Sequence, residues 1–76
     1  MNFEFLAHFM DMPLYGCSIK GYQFLISQDS DGFYASWKSV EHIGRMAIPI
    51  DGNPFKSLQA AESACRRTYK GLTNRN

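Results

Sequence analysis

Several things are scarce in this chain. There are two cysteines, Cys17 and Cys65, in 76 residues, and neither stands in a C-x-x-C pair. Both read as reduced thiols of a cytoplasmic protein. A Cys17–Cys65 bridge is the other reading, and it requires a close pairing of the two Cα atoms that sequence does not supply. Histidine is scarcer still in effect: His8 and His42, taken with the cysteines, are the only soft metal ligands. Their separations match no zinc pattern, in which pairs sit a few residues apart, so no metal and no cofactor are expected. Long apolar runs are missing as well. Nothing approaches the roughly 20 residues of a membrane span, and "MNFEFLAHFMDMP" lacks the basic start and apolar run of a secretory signal. "DSDG" opens like a calcium loop, but the loop's fifth and twelfth positions fall on Phe33 and Val40, which are not oxygen ligands. No nucleophile, acid and base converge at an interpretable spacing, so an enzyme and a small-molecule substrate are not expected.

What is present is apolar and aromatic. Hydrophobic residues make up 45% of the chain and aromatics 14%, which suits one small domain over residues 1–76 and argues against disorder. Residues 73–76 read as a flexible polar tail. Net charge is +1, but it is unevenly spread. Residues 1–34 carry Glu4, Asp11, Asp29 and Asp31 against Lys20. Residues 35–76 carry Lys38, Arg45, Lys56, Arg66, Arg67, Lys70 and Arg75 against Glu41, Asp51 and Glu62. The second half is therefore the side that suits an anionic partner.

The clearest pattern begins at Tyr22. Tyr22, Phe24 and Ile26 alternate with Gln23, Leu25 and Ser27; "DSDG" follows as a hairpin loop; then Phe33, Ala35 and Trp37 alternate with Tyr34, Ser36 and Lys38. A third run places Met46, Ile48 and Ile50 on one side, with Pro49 ending the strand or setting it at an edge. After "DGNP", Ser57 fits a helix N-cap. "SLQAAESACRRTYKG" then carries an apolar stripe of Leu58, Ala61, Cys65, Thr68 or Tyr69, and Leu72, with Gly71 expected just past the helix end. The opening residues 1–12 are apolar and fit a strand (Phe3, Phe5, Ala7, Phe9) or a helix (Phe3, Leu6, Ala7, Met10), and "PLYG" reads as a turn. The fold expected is α+β: a three-stranded antiparallel meander, one C-terminal helix on one face, and an apolar N-terminal segment.

The order strand, turn, strand, strand, small-residue helix over Tyr22–Leu72 is similar to that of three modules. They are the plant transcription-factor domain that lays a three-stranded sheet in the major groove, the arm-binding domain of phage-type integrases, and small bacterial proteins of the YegP type. The resemblance is architectural, covers about two-thirds of the chain, and implies no site residues.

Two functions are carried forward. The first is a non-enzymatic interaction domain, in a style met in bacteria and phages, that binds a protein partner or a second copy of itself. Its surface would be the N-terminal segment and the open sheet face, through Phe3, Phe5, Phe9, Leu25 and Tyr34. A small core and a free sheet edge both gain from association. The second is nucleic-acid binding through Tyr34, which could stack on a base, and the cations Lys38, Arg45, Arg66, Arg67 and Lys70, which could neutralise phosphates. The plain alternative for the helix cations is that they offset the dipole, with Glu62 pairing Arg66.

Overall fold

The computed structural model of the protein describes residues 1–74. Five antiparallel strands follow in chain order, β1 (Glu4–Phe9), β2 (Met12–Ile19), β3 (Tyr22–Asp29), β4 (Gly32–Ser39) and β5 (Met46–Ile48), and one helix, α1 (Leu58–Thr73), closes the chain. The class is α+β, but the sheet is larger than the three strands expected, because residues 1–19 add a complete hairpin.

The segment read as a turn, "PLYG", lies inside β2. Pro13 and Gly16 are turn residues by habit, and both are accommodated here. Pro13 precedes the first β2–β3 pair, Leu14 with Ser27, so its missing N–H breaks no pairing with β3. Gly16 is buried, and the space its side chain would take is filled by Leu6, whose Cδ1 lies 2.5 Å from where a Cβ would stand. The real turns are Met10–Asp11, with φ 52° and 66°, and Lys20–Gly21, with φ 46° and 85°. Two successive left-handed residues give the hairpin turn whose twist matches that of the strands.

The helix covers one face of β3, β4 and β5. Phe24 and Ile26 are fully buried beneath it, joined by Ala35, Ile48, Ala61, Ala64 and Cys65. Small residues on the helix let it approach the sheet closely. Ser57 caps it, its Oγ accepting the Ala60 N–H at 3.0 Å. Phe33 and Trp37 turn inward and pack against this core. Trp37 meets Tyr22 edge-on at 5.9 Å, and Tyr69 meets Tyr22 and Phe24, each at 6.2 Å.

Three details differ from expectation. The helix runs through Gly71 and ends at Thr73, whose hydroxyl bonds the Tyr69 carbonyl at 3.0 Å, while Asn74 N–H bonds Lys70 O at 3.0 Å. Thr73 is therefore helix rather than tail; residues 75 and 76, including Arg75, lie outside the described residues. Of the three apolar residues expected inward on the last strand, only Ile48 is buried. Met46 pairs with Trp37 but is 45% exposed, and Ile50 lies beyond the cis Ile48–Pro49 peptide, 81% exposed. Past that point Phe55 pairs with Phe33 through two backbone hydrogen bonds of 2.7 and 2.9 Å, returning the chain to the sheet before the helix. Among the described residues no helix is long and apolar enough to cross a membrane.

Candidate interaction face

Directly paired residues of an antiparallel sheet share a face. The register therefore assigns every strand residue to the helix side or the open side. Glu4, Gly16, Leu25, Ser36 and Ala47 form one transverse row across all five strands of the open side. Ser18, Gln23 and Lys38 form the next row on one flank, and Leu14, Ser27 and Tyr34 the row on the other.

A bulge in β1 decides where the N-terminal aromatics go. Phe5 pairs with Tyr15 and Ala7 with Leu14, so Leu6 is an extra residue. Before it, Phe5 faces the helix side, packed edge-on to Tyr15 at 6.0 Å and to His8 at 5.1 Å. Beyond it the alternation is offset, and Ala7 and Phe9 face the open side. The five residues expected at the interface are thus divided. Phe9, Leu25 and Tyr34 share the open face; Phe5 lies on the other face, and Phe3 packs against the core.

The open face has an apolar half and a polar half. Leu6 and Phe9 are 50% and 65% exposed, and Met12, Leu14 and Leu25 are half-buried beside them. Leu6, Met12 and Leu14 escaped the sequence reading. The signal was present, since Met12 and Leu14 alternate with Pro13 and Tyr15, but a strand is visible there only once "PLYG" is not taken as a turn.

The polar half is organised by Arg45. Its Nε donates to Ser36 Oγ at 3.0 Å and its Nη1 to Gln23 Oε1 at 2.7 Å; Nη2 reaches the Gln23 and Ser36 carbonyls at 3.3 and 3.4 Å. Among the described residues the guanidinium is held across β3 and β4 by neutral oxygens alone. Burial lowers its pKa from the usual 12.5, yet an arginine so held remains a cation. Nearby, the Tyr34 hydroxyl donates to the Asp31 carboxylate, which raises the phenol's pKa and holds it protonated.

Leu25 stands as a ridge between two depressions. One, of about 360 Å³, is lined by Glu4, Leu6, Gly16, Ser18, Gln23 and Leu25. The other, of about 190 Å³, is lined by Leu14, Leu25, Tyr34, Ser36 and Arg45 among others. The first lies over Ser18 and beside Leu6, which fills the space above Gly16.

The residues considered for nucleic acid are divided as well. Tyr34, Lys38 and Arg45 lie on the open side. Arg66, Arg67 and Lys70 ride on the helix across the sheet, where Arg66 bonds Glu62 at 3.2 Å and the Met1 carbonyl at 3.4 Å. Both cysteines are free. Cys65 is fully buried, and that burial, with a smaller contribution from Cys17, pushes its thiol from 9.0 up to about 12. Among the described residues no three histidine, cysteine or acidic side chains come together. No protein-family model, curated protein or solved structure matches the chain.

Proposed function

We propose that this protein is a non-enzymatic, cytoplasmic interaction domain that binds a protein partner through its open sheet face and the β1–β2 hairpin. The observation that carries this reading is the contiguous apolar surface of Leu6, Phe9, Met12, Leu14 and Leu25, on the side of the sheet away from the helix. Apolar side chains grouped beside a fixed arginine and hydrogen-bonding neighbours have the make-up of a protein interface, an apolar centre with a polar rim. The titratable groups agree with a binding role: Cys65 is a protonated thiol in the core, and the Tyr34 phenol is held by Asp31. Two free thiols suit a reducing compartment.

A photo-reactive amino acid at position 25, introduced in cells, tests the reading. Discrete adducts are expected from position 25 and none from position 59, on the exposed side of the helix. Equal labelling from the two positions would overturn it.

The second reading, nucleic-acid binding, is favoured by one observation: among the described residues the charge of Arg45 is answered by neutral oxygens only, and Lys38 is on the same face. It predicts binding to DNA or RNA that weakens steeply with salt. An absence of binding at low salt eliminates it.

A further inference from the structure

We infer that the occupant of the open face is a second copy of this chain, packed sheet to sheet about a two-fold axis running parallel to the strands over Leu25. This rests on the interaction-domain reading above and names its partner.

The inference comes from how the face is laid out. Leu25 lies on the third of five strands, in the middle of the row Glu4, Gly16, Leu25, Ser36, Ala47. To one side, over β3 and β4, the Arg45 side chain makes a cationic ridge between the Leu25 row and the Gln23 row. To the other side, over β2 and at the same level along the strands, lies the groove lined by Gly16 and Ser18 and bordered by Glu4. The ridge and the groove lie on opposite sides of Leu25, at the same level along the strands. A two-fold along the strands keeps the level and exchanges the sides. It therefore sets each Arg45 ridge over the partner's groove and brings each guanidinium towards Glu4 of the partner subunit.

The charges are available for this. Among the described residues Arg45 has only neutral hydrogen-bond partners, and Glu4 is exposed with neither a hydrogen bond nor an ion pair. The same rotation lays Leu25 against its own copy and Leu14 over Tyr34 of the partner subunit, so the apolar half of one face meets the polar half's only aromatic. The result is an isologous contact, in which each side presents the same patch. The size is adequate. Strands about 4.8 Å apart and about 3.3 Å per residue, with only three residues in β5 and six in β1, give a face of roughly 520 Å². Two such faces together cover roughly 1,050 Å², just above the roughly 1,000 Å² that a specific contact needs. The contact would turn one exposed sheet into the inner layer of a sandwich.

The test is a charge exchange followed by sedimentation equilibrium. Wild-type protein is expected to dimerise reversibly below about 1 mM. Glu4→Arg and Arg45→Glu are each expected to weaken the dimer at least about tenfold, because each sets like charges against one another twice. Mixed in equal amounts, the two variants are expected to form a heterodimer of near wild-type affinity, since both contacts then pair opposite charges. The Glu4 side chain is exposed and makes no hydrogen bond or ion pair among the described residues, so its variant decides the matter even if Arg45→Glu fails to fold. Three results would overturn the inference: a strictly monomeric wild type, a dimer indifferent to Glu4→Arg, or folded variants that do not pair. If a monomeric chain still gives adducts with other proteins from position 25, the pairing falls and the interaction face stands. If those adducts are missing too, both fall.

Discussion

Leu6 occupies the space that Gly16 leaves empty. A Cβ at position 16 would stand 2.5 Å from Leu6 Cδ1 and 3.2 Å from Leu25 Cδ2. The bulge that offsets β1 supplies Leu6, so the glycine and the bulge are two halves of one arrangement. Gly16→Ala should therefore move a half-exposed leucine rather than break the fold. Stability is expected to stay within about 1 kcal/mol, since alanine also lowers the entropic penalty of glycine in a strand. The displaced Leu6 should close the groove and weaken association. Thermal unfolding and sedimentation, run on the same sample, separate the two effects.

Gly32 is the contrasting case. Its φ is +144°, and a Cβ there would stand 2.6 Å from the Phe55 carbonyl oxygen, a backbone atom tied into the Phe33–Phe55 pair. Neither the conformation nor the neighbour can yield cheaply. Gly32→Ala should lose about 1–3 kcal/mol, measured by urea unfolding. A neutral result would contradict the close return of the chain at Phe55.

The β1–β2 turn holds Met10 and Asp11 in the left-handed region, at φ 52° and 66°. Side chains other than glycine, asparagine and aspartate are disfavoured there, by about 1–2 kcal/mol per residue, so Met10 carries most of the penalty. Replacing the pair with Asn-Gly should stabilise the hairpin by about 1 kcal/mol. A rise in melting temperature checks this, and a fall would mean that the turn has another geometry.

The buried thiol of Cys65 sets an alkaline limit. Its pKa rises from 9.0 to about 12 on folding. Between those values the unfolded chain releases a proton that the folded chain retains, so the unfolded state binds fewer protons and stability falls as pH rises. Cys65→Ala, although it loses packing, should remove this part of the decline above pH 9. Alkylation of the native protein should modify Cys17, which is partly exposed, well before Cys65, which is fully buried.

Much of this molecule was legible in its sequence, for identifiable reasons. The β3–β4 hairpin and the helix announce themselves because their periodicities are unbroken and their caps are ordinary. Phe24, Ile26 and Trp37 alternate, "DSDG" turns, and Ser57 caps. The first hairpin was hidden because its signals point the wrong way. Pro13 and Gly16 look like a turn and lie in a strand, while Met10 and Asp11 do not resemble a tight turn and form one. The open face was half visible. Leu25, Tyr34, Lys38 and Arg45 follow from alternation, but the offset at Leu6 sends Phe5 and Phe9 to opposite sides, and no pattern in the sequence marks a bulge. That Arg45 reaches across two strands to Gln23 is a tertiary relationship with no local signature.

Covering of the open face in solution is the central claim. It is tested most directly by the effect of a soluble paramagnetic agent on the methyl groups of Leu14 and Leu25, compared with that of Ile43, which is fully exposed. Raising the protein concentration should shield Leu14 and Leu25 progressively and leave Ile43 unchanged. If the responses of Leu14 and Leu25 do not change with concentration, the face stays open in solution and the pairing of two copies is wrong.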